Sequence, residues 1–74
     1  MRTPVEAKVV YGTSAWQEEE IHSLRASAIV AADILTILSG KRRPQREFAV
    51  DERNPKAKVI IGEYWVEVIY LSEN

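Results

Sequence analysis

The segment from Gly12 to Pro44, GTSAWQEEEIHSLRASAIVAADILTILSGKRRP, constrains this chain most, because it reads as one helix with both ends written out. Ser14 is the expected N-cap, its hydroxyl accepting from a backbone N–H of the first turn. Gln17, three residues on, completes a capping-box pattern. Glu18, Glu19 and Glu20 place negative charge at the positive end of the helix dipole. At the far end Gly40 suits a left-handed C′ position, Lys41, Arg42 and Arg43 complement the negative end, and Pro44 forbids continuation. The pattern predicts a helix over 15–39.

Within it Ile21, Leu24, Ala28, Ala31, Leu35 and Leu38 recur at spacings of three and four and form one apolar stripe. Val30, Ile34 and Ile37 build a second apolar flank, which a lone sheet does not cover. Twenty-five helical residues would span about 37 Å, whereas a compact chain of this length has a diameter of roughly 29 Å. An overhanging, doubly apolar helix points to an oligomer interface through Val30, Ile34 and Ile37.

The rest of the chain reads as strand. Val5–Tyr11 alternates, with Val5, Ala7, Val9 and Tyr11 on the face expected to meet the helix. Glu47–Asp51 is the next strand pattern, with Phe48 and Val50 to one side. The polar run 51–58, DERNPKAK, reads as a hairpin loop with Asn54-Pro55 as its turn signal. A long third strand, Val59–Leu71, places Ile60, Tyr64, Val66, Val68 and Tyr70 in the core. Its other face carries Val59, Ile61, Glu63, Trp65, Glu67, Ile69 and Leu71. One helix cannot cover both sides of a sheet, so Ile69 joins the expected interface residues and Trp65 faces a neighbour or a ligand. The predicted class is α+β: a single domain over 1–74 of β-α-β-β order, its three-stranded antiparallel sheet wrapped on one long helix.

Composition excludes several functions. The 74 residues contain no cysteine, which removes disulfides and thiolate metal sites. A net charge of −1 gives no global attraction for nucleic acid or anionic lipid. The apolar run in the helix falls short of the roughly 20 residues a membrane span needs. Met1-Arg2-Thr3-Pro4 opens without the apolar core of a secretory signal, so a cytoplasmic location is expected. The serines lack a recognisable base partner and there is no phosphate-cradling glycine loop, so no enzyme is expected. His22, the sole histidine, is read as an exposed structural residue; a pairing with Glu18 on a shared metal would be a poor site alone. Asp33, among aliphatics, is expected in a polar contact of the assembly, because a buried carboxylate without a partner is costly. Trp16 is expected to close one end of the core. Lys41, Arg42, Arg43 and Arg46 form a basic connector, the best case for a nucleic-acid partner, though no aromatics are interleaved with it.

In this layout the chain resembles the dodecins, small flavin-binding proteins of β-α-β-β topology. The opening KVVYGTSAW is similar to that family's first strand and its Gly-Thr-Ser turn into the helix. The closing EFAVDERNPKAKVIIGEYWVEVIYLSEN is similar to its terminal hairpin, including the Tyr-x-x-Glu-Val register at Tyr64 to Val68. The middle is not matched, and the helical segment is longer than the family's by about two turns. The resemblance implies a symmetric homo-oligomer, a dodecamer on the family pattern, and a flavin cofactor (FMN, FAD or riboflavin). Aligning on Val50 puts Glu47 where the family has its flavin-stacking tryptophan. The Tyr64 register puts Trp65 where it has a flavin-contacting glutamine. By period-2 alternation Glu47 and Trp65 share the non-core side of the sheet, and an indole there offers a stacking surface.

The expected function is therefore a non-catalytic, self-assembling protein that binds or sequesters a small planar ligand, flavin by resemblance. The alternative is an interaction or scaffold module that docks another protein through the apolar helix half 28–38. Nucleic-acid binding through 41–46 stands third.

Overall fold

The computed structural model describes residues 6–51 and 53–71. Val5, placed in the first strand above, Glu52 of the expected hairpin loop, and Ser72, Glu73 and Asn74 of the tail lie outside the described residues. In chain order the elements are β1 (Glu6–Gly12), β2 (Gln17–Ser23), α1 (Leu24–Ser39), a single 3-10 turn (Gln45–Phe48), β3 (Lys56–Ile61) and β4 (Tyr64–Leu71). The α+β class, with one helix packed on an antiparallel sheet, is as the sequence predicts. The sheet has four strands where three were expected, in the order β2-β1-β4-β3 with every neighbour antiparallel.

The extra strand comes from the front of the expected helix. Residues 17–23 pair along the whole of β1, from Gly12 opposite Gln17 to Glu6 opposite Ser23. This stretch holds one apolar residue, Ile21, so as a helix it would bury almost nothing. As a strand it gives β1 a full backbone ladder, sets Glu19 near Lys8 (3.9 Å), and sets Glu20 against the Tyr11 hydroxyl (2.7 Å). Tertiary pairing overrides local propensity. Ser14 does not cap a helix; it lies in the β1–β2 turn, closed by the Thr13 N–H donating to the Trp16 carbonyl. Gly12 makes that turn possible. Its φ is +156°, and a Cβ there would stand 2.2 Å from the Trp16 carbonyl oxygen.

The true N-cap is Ser23, whose hydroxyl accepts from the Ala26 N–H at 3.2 Å. The C-terminus is where the sequence puts it: Gly40 is left-handed (φ 75°) and its N–H reaches the Thr36 carbonyl at 2.8 Å. Sixteen residues make a helix of about 24 Å, well within the molecule's 40 Å long axis. The overhang expected from a 25-residue helix is absent. Ser27, Ala31, Ala32 and Leu35 face inward, and Leu24, Ala28 and Ile34 pack around them.

Three further expectations change. Glu47–Asp51 is not a strand: Pro44 starts the 3-10 turn, whose Glu47 N–H donates to the Pro44 carbonyl. Phe48 still enters the core, fully buried, but from a helical turn. Residues 59–71 are not one strand either. Gly62 (φ 60°) and Glu63 make a two-residue turn between Ile61 and Tyr64, the Gly-X type that closes tight hairpins. Residues 51–58 are not a hairpin loop; Asp51 and Asn54 exchange backbone hydrogen bonds of 3.1 Å and lead into β3.

Cross-strand pairing assigns the two faces. Ala7, Val9 and Tyr11 of β1, Val66 and Val68 of β4, and Ala57, Val59 and Ile61 of β3 lie on the helix side. Ile60, expected in the core, is on the opposite side and 63% exposed, because the turn at 62–63 shifts β3 by one position against the expected alternation. Ala7, Val9, Val66, Val68, Leu35, Ala31 and Phe48 are fully buried and form the centre of the core.

Three substitutions check this layout by denaturant unfolding. Ser23→Ala removes the helix cap and is expected to cost about 1 kcal/mol, whereas Ser14→Ala, in an exposed turn, should stay within about 0.5 kcal/mol. Phe48→Ala is expected to cost about 3–5 kcal/mol.

Candidate binding surface

The helix covers one face of the sheet, and no described element covers the other. On the open face the register sets side chains in rows across the strands: Ile21, Lys8, Ile69, Lys56; then Glu19, Val10, Glu67, Lys58; then Gln17, Gly12, Trp65, Ile60. Apolar and charged groups alternate along the first row and along β4, while Glu67 sits beside Lys58 and Trp65 beside Ile60. Val10 is buried among its neighbours, Ile69 and Trp65 are half-buried, and Ile21 and Ile60 are exposed. Lys58 holds its ammonium 4.7 Å from the centre of the Trp65 ring, a cation–π contact. Gly12, directly across from Trp65, leaves the indole without a side chain on that flank.

The predicted site residues are not gathered in one place. Trp65 lies on the open face. Glu47 lies in the 3-10 turn that packs against α1, on the helix side, where its carboxylate accepts from the Arg43 guanidinium at 2.7 and 3.1 Å. The expectation that both share the non-core side fails because Glu47 is not in a strand, so period-2 alternation does not apply to it. Of the expected interface residues, Ile69 is on the open face, Ile34 packs on the core, Val30 is half-buried, and Ile37 is 79% exposed on the outer side of α1. Ile29, also on α1, is about half exposed.

On the helix side the edge strand β2 runs past the helix, and a polar cluster forms there. Glu20 accepts from the Tyr11 hydroxyl with one oxygen and meets the His22 ring nitrogen with the other, both at 2.7 Å. The hydrogen bonds from His22 and Tyr11 hold the Glu20 carboxyl below the usual range. The bond to that carboxylate, followed by burial and by the charges of Glu20 and Glu18, pushes the Tyr11 phenol up to about 12. Trp16 meets the Tyr11 ring edge-on at 6.3 Å and is partly exposed. Glu18 and His22, four positions apart on a strand and not on a helix, are separated by about 13 Å of backbone. Among the described residues no group of three or more His, Cys, Asp or Glu side chains is placed to hold a metal ion.

A shallow groove of about 440 Å³ runs between the outer side of α1 and the connector after it. Asp33, which is exposed, lines it with Ile29, Thr36, Arg42 and Arg43. Lys41, Arg42 and Arg46 of the basic connector are exposed, while Arg43 is committed to Glu47. No described helix is long and apolar enough to cross a membrane.

Sequence reasoning missed Ile21, Lys58 and Ile60 on the open face and the Tyr11–Glu20–His22 cluster. The Gly62-Glu63 pair was a usable signal for Ile60. The cluster had none before residues 17–23 were known to be a strand.

The cluster makes a spectroscopic prediction. Glu20 gains from the folded state above its unfolded pKa, and that gain fades as pH falls through its lowered folded value. The Tyr11 phenol contributes below an ordinary phenol's pKa of roughly 10, and its contribution is lost as pH rises toward about 12. Ultraviolet titration should find one tyrosine ionising near 12, and Glu20→Gln should bring it back toward the ordinary value.

No family model, no curated protein and no solved structure matches this chain.

Proposed function

We propose that the chain is a non-catalytic, self-associating protein, and that the open sheet face is a surface it uses. The observation that carries this reading is the uncovered face itself: Ile21, Val10, Ile69, Trp65 and Ile60 run across all four strands, and no other element among the described residues lies above them. A sheet with apolar groups on both sides gains by burying the second side. The interspersed Lys8, Glu19, Glu67 and Lys58 keep such a face soluble when it is uncovered.

The resemblance to dodecins adds a small planar ligand, flavin as FMN, FAD or riboflavin, and high symmetry. Support for the ligand rests on Trp65, which offers a half-buried indole on an accessible face, with Lys58 beside it as a cation for a phosphate-bearing ring system. Glu47, across the sheet and paired with Arg43, stands apart from that site. A second reading, docking of a different protein through the helix, is favoured by the exposure of Ile29 and Ile37 on the outer side of α1.

A native mass spectrum tests self-association directly: a discrete oligomer is expected, and a monomer at micromolar concentration overturns the reading. Titration with FMN tests the ligand. Tryptophan emission should quench in wild type and in Trp16→Phe, and lose most of its quenching in Trp65→Phe. Equal quenching in both variants removes Trp65 as the site.

A further inference from the structure

The two edges of the sheet carry opposite charge. The β2 edge reads QEEEIHS and the β3 edge reads KAKVII. Among the described residues each is paired on one side only. Glu18, Glu19 and Glu20 are exposed on the first, and Lys56 and Lys58 on the second. A strand paired on one side presents a row of backbone donors and acceptors to any strand of suitable direction and charge.

Direction is fixed by the strand count. With four strands alternating antiparallel, β2 and β4 run one way and β1 and β3 the other. The two edges are therefore antiparallel to each other. A second copy set beside the first, with its helix on the same side, presents its β2 antiparallel to the first copy's β3. Charge then chooses between the symmetries. Pairing about a two-fold axis would set the glutamates of β2 against themselves, or the lysines of β3 against themselves, and like charges opposite one another destabilise a ladder. Head-to-tail pairing sets the acidic edge beside the basic one, with Glu19 on the face that carries Lys56 and Lys58.

We propose that β2 of one copy adds to β3 of the next, head to tail, joining the four-stranded sheets into one continuous antiparallel sheet. This rests on the self-association proposed above and adds to the open face a contact through the sheet edges. Alternation also limits the register. Glu19 and Lys58 both point to the open face, since their cross-strand partners are Val10 and Glu67. Setting Glu19 opposite Lys58 overlaps Gln17–Ile21 with Lys56–Ile60, with Lys56 on the diagonal, Gln17 opposite Ile60 and Ile21 opposite Lys56. Such heterologous contacts close into a ring or run on as a filament, and both keep every interior edge paired.

Charge reversal on each edge is the test. Glu18→Lys/Glu19→Lys leaves Glu20 and its bonds to Tyr11 and His22 in place; Lys56→Glu/Lys58→Glu reverses the other edge. Each protein is checked for fold by circular dichroism and sized by sedimentation velocity and native mass spectrometry. The expected result is an oligomer for wild type, monomers for each variant alone, and on mixing an assembly containing the two in equal numbers. If either variant is unfolded, Glu19→Lys and Lys58→Glu replace the pairs. Variants that assemble as wild type does, or folded variants that stay monomeric on mixing, overturn edge pairing and leave self-association standing. A monomeric wild type overturns both.

Discussion

The packing of β1 against β4 is the interaction on which the rest of this structure depends. Ala7, Val9, Val66 and Val68 are all fully buried where these two central strands meet the helix. They give the only part of the sheet with neighbours on both sides, in a chain too small for a large core. Small and β-branched residues at that centre pack against Leu35 and the alanines of α1, and Phe48 joins them from a 3-10 turn that also contacts β3. Once β1 and β4 are paired, β2 and β3 are outer strands, the helix lies across the centre, and the far face is left open.

How much of this was legible depends on whether the deciding contact was local. The helix C-terminus was legible because Gly40 and Pro44 act on their own backbone, and the inward face of β1 was legible because alternation needs no partner. The helix N-terminus was not. Ser14-x-x-Gln17 followed by three glutamates is a good start signal, but Ser23 offers another, and the choice is made by whether residues 17–23 gain more along β1 than as free helical turns. The candidate site was legible in part. Trp65 fell on the exposed face as read, while Glu47 was placed by alternation in a strand that does not exist, its stretch being too short to carry a reliable period.

The same polar residues serve the fold and its surroundings. Glu20 satisfies Tyr11 and His22 across two strands, Glu19 lies near Lys8, and Glu47 neutralises Arg43. A net charge of −1 conceals this segregation: acid gathers at one border of the sheet and base at the other. Pairing of exposed charges is worth little to a folded chain, so their placement bears more on which neighbours the molecule admits than on its own stability.

The turn at Gly62-Glu63 counts residues. Because side chains alternate, the identity of each face of β4 relative to β3 is set by a spacing of two between Ile61 and Tyr64. One residue fewer leaves no room for the two-residue turn, and one more is absorbed only by a longer loop or a bulge; taken up as a slip of register it would exchange Trp65, Glu67 and Ile69 with Val66 and Val68, so that charge would enter the core. The connection at 13–16 closes the β1–β2 pair in the same way, whereas the stretch after Phe48 leads between separately anchored elements and can change length without inverting a face. A change of length is therefore absorbed most easily between Phe48 and β3, outside both hairpins.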